Sequence, residues 1–274
     1  MGSRIRLLPP FLPYAAISVV HVIALFAASP VAAPTKLALM PALALAVIWA
    51  AALPVGAGAA PVGAGDAPGG LVTPPTAAAA PSAGASASAS DAAPGRPASA
   101  LRGARGAILL LVAAILCSWL GDGAATFFPM FDDELPMMLL CFVLAHVGYL
   151  LLMWRARGVA RHRVPAWAAA YLLVYAVLIV VLIPRTGALT VPVMGYGLLL
   201  AGTAAMASRC GAVIAWGGAW FLVSDAILSF RIFLPEVMPD WTSGAVMLTY
   251  TLGQGLLAFG IVSALRRREA RAAG

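Results

Sequence analysis

The strongest constraint on this chain is a series of apolar runs, each long enough to cross a lipid bilayer. A transmembrane helix needs about 20 mainly apolar residues, and eight runs of about that length are separated by Pro, Gly or charged residues. The runs cover residues 10–28, 36–53, 106–128, 135–154, 165–183, 188–207, 210–231 and 243–265. This pattern predicts an all-α fold, a polytopic membrane bundle of about eight transmembrane helices.

The overall composition excludes a soluble protein. Hydrophobic residues make up 62% of the 274 residues and charged residues 10%, whereas soluble domains are about one quarter charged. The net charge of +7 comes from short basic clusters between the apolar runs, which is typical of membrane topology. We therefore expect the lipid bilayer as the surroundings and no nucleic acid as a partner.

The basic residues also predict the orientation. With the runs numbered alternately, fourteen of the 17 Lys and Arg residues fall on the side of the amino terminus. The positive-inside rule then predicts a multi-pass protein of the cell membrane with both termini cytoplasmic, the last being a tail at 269–274. The opposite side receives Lys36, Arg185, Arg231 and the acidic loops Asp132–Glu134 and Glu236/Asp240.

The amino-terminal run has a second interpretation as a cleaved signal peptide. Arg4 and Arg6 precede the run, and the small-residue stretch AASPVAA follows it, as in secretory signals. Cleavage would leave seven spans.

A low-complexity segment separates the second run from the third. Residues 54–104 are almost entirely Ala, Gly, Pro, Ser and Thr, so the segment has no large side chains whose burial would offset the entropy of ordering. It predicts a disordered linker between helices 1–2 (residues 1–53) and helices 3–8 (residues 105–268). The alternative is a partner-binding segment.

Ionisable side chains inside apolar runs are candidates for function because they are costly at membrane depth. Four stand out: Asp122, Asp225, His146 and Lys36. The aspartates follow similar segments, SWLGD and AWFLVSD, in the third and seventh runs, which suggests a weak duplication of a four-helix unit. Alternatively, Asp and His only join helices by hydrogen bonds, and Lys36 extends to the interface.

Further polar residues share helix faces with these groups. His146 and Tyr149 are three residues apart, and Tyr250 and Gln254 are four apart, so each pair lies on one face. With Tyr196, they predict one hydrated pocket that also includes Lys36 and the aspartates. Such a pocket suits acid–base chemistry or ion translocation, although the phenols would serve equally for packing.

The sequence predicts neither a metal site nor a cofactor. Cys117, Cys141 and Cys210 show no CxxC spacing. His21 and His162 are poorly placed to join His146 as zinc ligands. The chain contains no GxSxG, HExxH or P-loop pattern.

Several of these segments together resemble the YhhN family of integral membrane proteins, whose characterised members include lysoplasmalogenases. The similarity lies in five segments that occur in the same order: TKLALMPAL, WLGDG, FVLAHVGYLLLM, WFLVSDAILSF and YTLGQGLL.

The resemblance implies hydrolysis of the vinyl ether bond of a lysoplasmalogen, a lysophospholipid, to a fatty aldehyde and a glycerophospho-ethanolamine or glycerophosphocholine. Asp122 and Asp225 would be the catalytic pair, because this reaction needs a general acid and a nearby anion. The expected substrate-binding residues are Lys36, His146, Tyr149, Tyr196, Tyr250 and Gln254. Two other functions suit the same residues: a proton-coupled transporter or channel for a small solute, and a non-catalytic lipid-binding protein.

Overall fold

The computed structural model describes residues 7–54, 96–156 and 158–273, and every regular element within them is helical. Besides a four-residue helix, Ala124–Phe127, these ranges contain eight long helices. They are α1 (Leu12–Phe26), α2 (Ala32–Ala52), α3 (Arg96–Asp122), α4 (Leu135–Arg155), α5 (Ala170–Thr186), α6 (Thr190–Ser208), α7 (Ala212–Phe233) and α8 (Thr242–Ala273). The predicted all-α membrane bundle is confirmed.

The helices α5 and α6 form a hairpin. Among the described residues, seven segments are long and apolar enough to span a membrane, and the longest, Ala166–Ser208, contains both helices. In one straight helix Tyr175 and Gly197 would be about 33 Å apart. Instead, a Cβ atom on Gly197 would lie 3.1 Å from the ring of Tyr175, so the chain reverses at the 3-10 turn Gly187–Leu189. With that hairpin counted as two, the seven candidate segments of the described residues correspond to eight spans.

Most basic residues of the described segments gather at one end of the bundle, here called the basic end. The backbone N–H of Arg161, after α4, donates to the carbonyl of Arg209, after α6, at 2.9 Å. Arg266 of α8 donates to the carbonyls of Ala51 and Leu53 at the end of α2. The ends of α2, α4, α6 and α8 thus lie at the same end of the bundle, as the alternating runs predict. That this end faces the cytoplasm stays a prediction.

A proline in α2 fixes how α2 packs on α3. Pro41 has no N–H group, so the carbonyl of Leu37, four residues earlier, lacks its usual helical donor. The indole Nε1–H of Trp119 on α3 donates to this carbonyl at 2.9 Å. Such a bond is valuable in a membrane because no water replaces it. Lys36 is next to Leu37 and Asp122 follows Trp119 by three residues, so this bond also brings Lys36 and Asp122 to the same end of the α2–α3 pair.

Glycines allow α7 and α8 to touch backbone to backbone. A Cβ on Gly217 would lie 2.7 Å from the backbone N of Leu257, and one on Gly253 would lie 2.8 Å from the backbone N of Phe221. Small residues permit this approach between membrane helices. The helix α8 also contacts α1, α2 and α3. Of the residues in its apolar stretch 67% are buried, against 11% for the α5–α6 segment. It is therefore the central helix.

The boundaries of the linker and of the third span differ from the sequence-based expectation. Residues 96–104, placed in the linker by composition, belong to α3, because Ala favours helix and Pro97 is tolerated in a first turn. At the other end, α3 stops at Asp122, whereas the apolar run extends to residue 128. The rest of the predicted linker, residues 55–95, lies outside the described residues.

We expect Gly253→Ala to destabilise the bundle, because the new methyl group would meet the α7 backbone, which cannot move aside as a side chain would. Overpacking of this kind costs about 1–3 kcal/mol. The measurement is the thermal unfolding midpoint of the purified protein in detergent. Gly202→Ala is the matched control, since nothing lies within 4 Å of its new Cβ. Equal midpoints for the two variants would contradict the proposed contact.

The orientation is tested by thiol labelling in a variant whose three native cysteines are replaced. Single cysteines at His162 and Ala270, both exposed at the basic end, should resist an impermeant maleimide in intact cells. A cysteine at Asp132, exposed in the α3–α4 loop, should react. The positive-inside rule gives this result, and the inverse labelling pattern would reverse the assignment.

Candidate active site

The first aspartate, Asp122, is the last residue of α3 and is partly exposed. Its Oδ2 accepts a hydrogen bond from the Tyr250 hydroxyl of α8 at 2.7 Å. Lys36, one turn inside α2, is close enough to interact electrostatically with this carboxylate. Asp122 therefore has both a phenol donor and a nearby cation.

The second aspartate, Asp225, lies within α7 and is 9% exposed. Its Oδ2 accepts a hydrogen bond from the Tyr196 hydroxyl of α6. The charged group that acts on it is Asp122, and no cation among the described residues is recorded as acting on it. The two carboxylates are thus close enough to influence each other and differ in their surroundings.

His146 of α4 lies between these two sites and is fully buried. Its Nδ1 is 3.1 Å from Oγ1 of Thr203, and the Thr203 hydroxyl donates to the carbonyl of Leu199 at 2.9 Å. Because that hydroxyl has one proton, we assign the imidazole proton to Nδ1, which donates to Thr203. The lone pair of Nε2 has no partner among the described groups.

A hydrogen-bonded network connects α3, α4 and α8 beside Asp122. Tyr149 donates to Oε1 of Gln254 at 2.5 Å, and Nε2 of Gln254 donates to Oγ of Ser118 at 2.9 Å. The same nitrogen lies 3.4 Å from the Tyr250 hydroxyl. Since Tyr149, Gln254 and Ser118 are fully buried, the network stabilises the helix positions that hold Tyr250 against Asp122.

An aromatic contact joins the halves into one group, here called the aspartate cluster: Lys36, Asp122, His146, Tyr149, Tyr196, Asp225, Tyr250 and Gln254. The ring of Phe221 lies 5.4 Å from that of Tyr250 and 4.6 Å from that of His146, both edge to face. The rings of His146 and Tyr196 are 5.7 Å apart.

The structure thus brings together all eight residues that the sequence singled out. Lys36, Asp122 and Tyr196 are partly exposed, and the other five are buried. The cluster is more closely packed than the hydrated pocket expected from the sequence. The accessible side of the aspartate cluster is defined by its partly exposed residues, Lys36, Asp122 and Tyr196. Among the residues that the structure describes, no three His, Cys, Asp or Glu side chains come together as metal ligands do.

Two buried partners were missed by sequence reasoning, Ser118 and Thr203. Ser118 precedes Asp122 by four residues and Thr203 follows Tyr196 by seven, so each shares a helix face with a singled-out residue. This spacing was the available signal. Serine and threonine are common in membrane helices, however, and spacing alone does not show which of them meet a partner.

Comparison with known proteins identifies the family of the chain. The model of the YhhN family matches residues 96–261, more than half of the chain. The chain belongs to the YhhN family. The matched range contains every residue of the aspartate cluster except Lys36, which lies in α2 before the YhhN match begins. No curated protein and no solved structure matches the chain.

Proposed function

We propose that the protein is a membrane hydrolase that cleaves the vinyl ether bond of a lysoplasmalogen, releasing a fatty aldehyde and a glycerophospho-ethanolamine or glycerophosphocholine. The observation that carries the proposal is the pairing of two carboxylates with different surroundings in one cluster. Groups whose environments differ in this way divide acid and base roles. Membership in the YhhN family supports the same reaction class.

The reaction requires one proton donor, one anion and one water molecule. Protonation of the outer alkene carbon leaves an oxocarbenium ion at the carbon bonded to the ether oxygen. Water adds to that carbon and loses a proton, and the resulting hemiacetal collapses to the aldehyde and the free glycerol hydroxyl. The proton given up by the water balances the one supplied by the acid, so the enzyme is unchanged after each turnover.

We assign Asp225 as the general acid. It is buried and has no cation beside it, and desolvation without a compensating positive charge favours the neutral carboxyl. The Tyr196 hydroxyl donates to Oδ2, which leaves Oδ1 free to carry the proton. A neutral carboxyl held in this way is suited to protonating carbon.

We assign Asp122 as the anion that stabilises the oxocarbenium ion. Lys36 and the Tyr250 hydroxyl both favour its charged form. Its partial exposure gives a route for water and substrate. The ring of His146 packs against those of Tyr196 and Phe221, and its Nε2, which has no partner among the described groups, would accept a hydrogen bond from the attacking water and so orient the water for addition.

We expect Asp122→Asn and Asp225→Asn each to lower turnover by at least about a hundredfold, the low end for a lost general acid. Asparagine keeps the size but removes the proton donor or the charge. His146→Ala and Tyr149→Phe should give smaller losses, because they orient groups and do not supply the proton. The measurement is aldehyde release from a lysoplasmalogen by purified protein in detergent.

Asp132→Asn is the matched control, because this aspartate is exposed in the α3–α4 loop and should retain parental turnover. Alkyl ether lysophospholipid, which lacks the alkene, should bind without being cleaved. Parental turnover in both cluster variants would refute the mechanism. Solute movement into sealed vesicles, without aldehyde release in detergent, would instead support transport.

A further inference from the structure

A cavity of about 310 Å³ with mainly apolar walls and a few polar groups lies next to the aspartate cluster, between the ends of α1, α2, α7 and α8 opposite the basic end. Its polar walls are His21, Lys36, Arg231 and Ser243, and no Asp or Glu is among the described residues that line it. A cavity whose charged walls are both cations attracts an anion. Ligand sites begin at about this volume.

His21 reaches the cavity with part of its hydrogen-bonding capacity unused. Its Nδ1 lies 2.9 Å from Oγ1 of Thr35, whose hydroxyl donates to the carbonyl of Val31 at 2.6 Å. The residue is 1% exposed, and its Nε2 has no partner in the part of the chain that the structure describes. Because Nδ1 carries the proton, Nε2 is an acceptor; a buried acceptor without a partner is costly, and a hydroxyl group of a ligand in this cavity would satisfy it.

Arg231 is held in place by hydrogen bonds from Nη1 and has other N–H groups available for a ligand. Its Nη1 bonds the carbonyl of Pro239 at 3.2 Å and also the hydroxyl of Thr242. The described contacts leave Nε and Nη2 unused, and a guanidinium pairs well with a phosphate through two such donors. Lys36 makes no ion pair within 4.0 Å among the described residues, so both cations can bind a ligand.

The starts of two helices add to this positive environment. Ala33 and Ser243 lie in the first turns of α2 and α8 and line the cavity, where the helix dipole is positive. The backbone N–H of Ser243 already donates to the carbonyl of Asp240 at 3.1 Å. The side chains of Ser243, Arg231 and Lys36, rather than backbone amides, would therefore supply the donors.

We propose that this cavity is a phosphate subsite that binds the head group of the lysophospholipid substrate. The inference rests on the proposed function for the identity of the lipid, whereas the recognition of phosphate rests on the cavity itself. Lys36 faces both this cavity and Asp122. Phosphate bound here would place the glycerol side of the lipid next to the accessible side of the aspartate cluster.

The test is equilibrium binding of radiolabelled alkyl ether lysophospholipid to the full-length protein in uncharged detergent. Ser243→Asp should weaken binding at least about tenfold, because a carboxylate would then face the phosphate. Ser243→Asn is the neutral comparison of the same size as aspartate and should lose much less binding than Ser243→Asp does. Acidic residues are favoured in a first turn, so the Asp variant should fold, which its thermal midpoint checks.

A second pair of variants removes positive charge. Arg231→Gln should weaken binding of the same lipid, and Arg231→Lys should restore part of it. Arg185→Gln is the control, since Arg185 is an exposed cation of the α5–α6 turn, paired with Glu236 at 2.8 Å and outside the cavity. The matched 1-alkylglycerol, which has no phosphate, should bind equally to every variant.

Inorganic phosphate distinguishes the two sources of the anion. Competition only by lysophospholipid supports the lipid head group as the occupant, and competition by inorganic phosphate at the same residues supports a general phosphate site. Unchanged lysophospholipid binding in Ser243→Asp and Arg231→Gln would overturn the subsite and leave the proposed hydrolysis standing. Intact, charge-sensitive binding without aldehyde release would overturn the hydrolysis and leave the subsite standing.

Discussion

The backbone contact between α7 and α8 determines the position of most groups in the aspartate cluster. Gly217 and Gly253 let the two helices approach until a methyl group no longer fits between them. At that separation the Phe221 ring of α7 meets the Tyr250 ring of α8. Tyr250 in turn reaches Asp122 of α3, and Asp225 lies one turn beyond Phe221. The close contact at these glycines thus helps to bring the carboxylates of Asp122, on α3, and Asp225, on α7, together.

Most buried polar side chains of the described residues are hydrogen-bonded, and two of the four atoms without a partner belong to histidines beside the proposed ligand sites. His21 and His146 each use Nδ1 for a threonine hydroxyl and leave Nε2 without a described partner. His21 lines the cationic cavity, and His146 packs against Tyr196 and Phe221 within the aspartate cluster. In a membrane interior an unused acceptor finds no bulk water, so the two rings are the places where the proposed substrate would supply a hydrogen-bond donor.

Much of this fold could be predicted from the sequence, because the length of an apolar run fixes the number of spans. Spacing also placed His146 with Tyr149 and Tyr250 with Gln254. The pairing of Thr203 with His146, or of Ser118 with Gln254, depends on how far each helix is rotated against its neighbour, and helix periodicity does not contain that information. The sequence was used to judge His21 only as a zinc ligand. Its place in a cavity could not be predicted, because residues from four helices form that cavity.

The hydrogen bonds of Arg266 bear on how much the length of the low-complexity segment matters to the fold. By donating to the carbonyls of Ala51 and Leu53, it fastens the end of α2 to the central helix, just before the low-complexity segment begins. The described helices before and after that segment are therefore held together by their own contacts. The entropy of closing a loop rises by only about 0.6 kcal/mol for each doubling of its length. A change in the length of this segment should therefore cost the helix bundle little free energy.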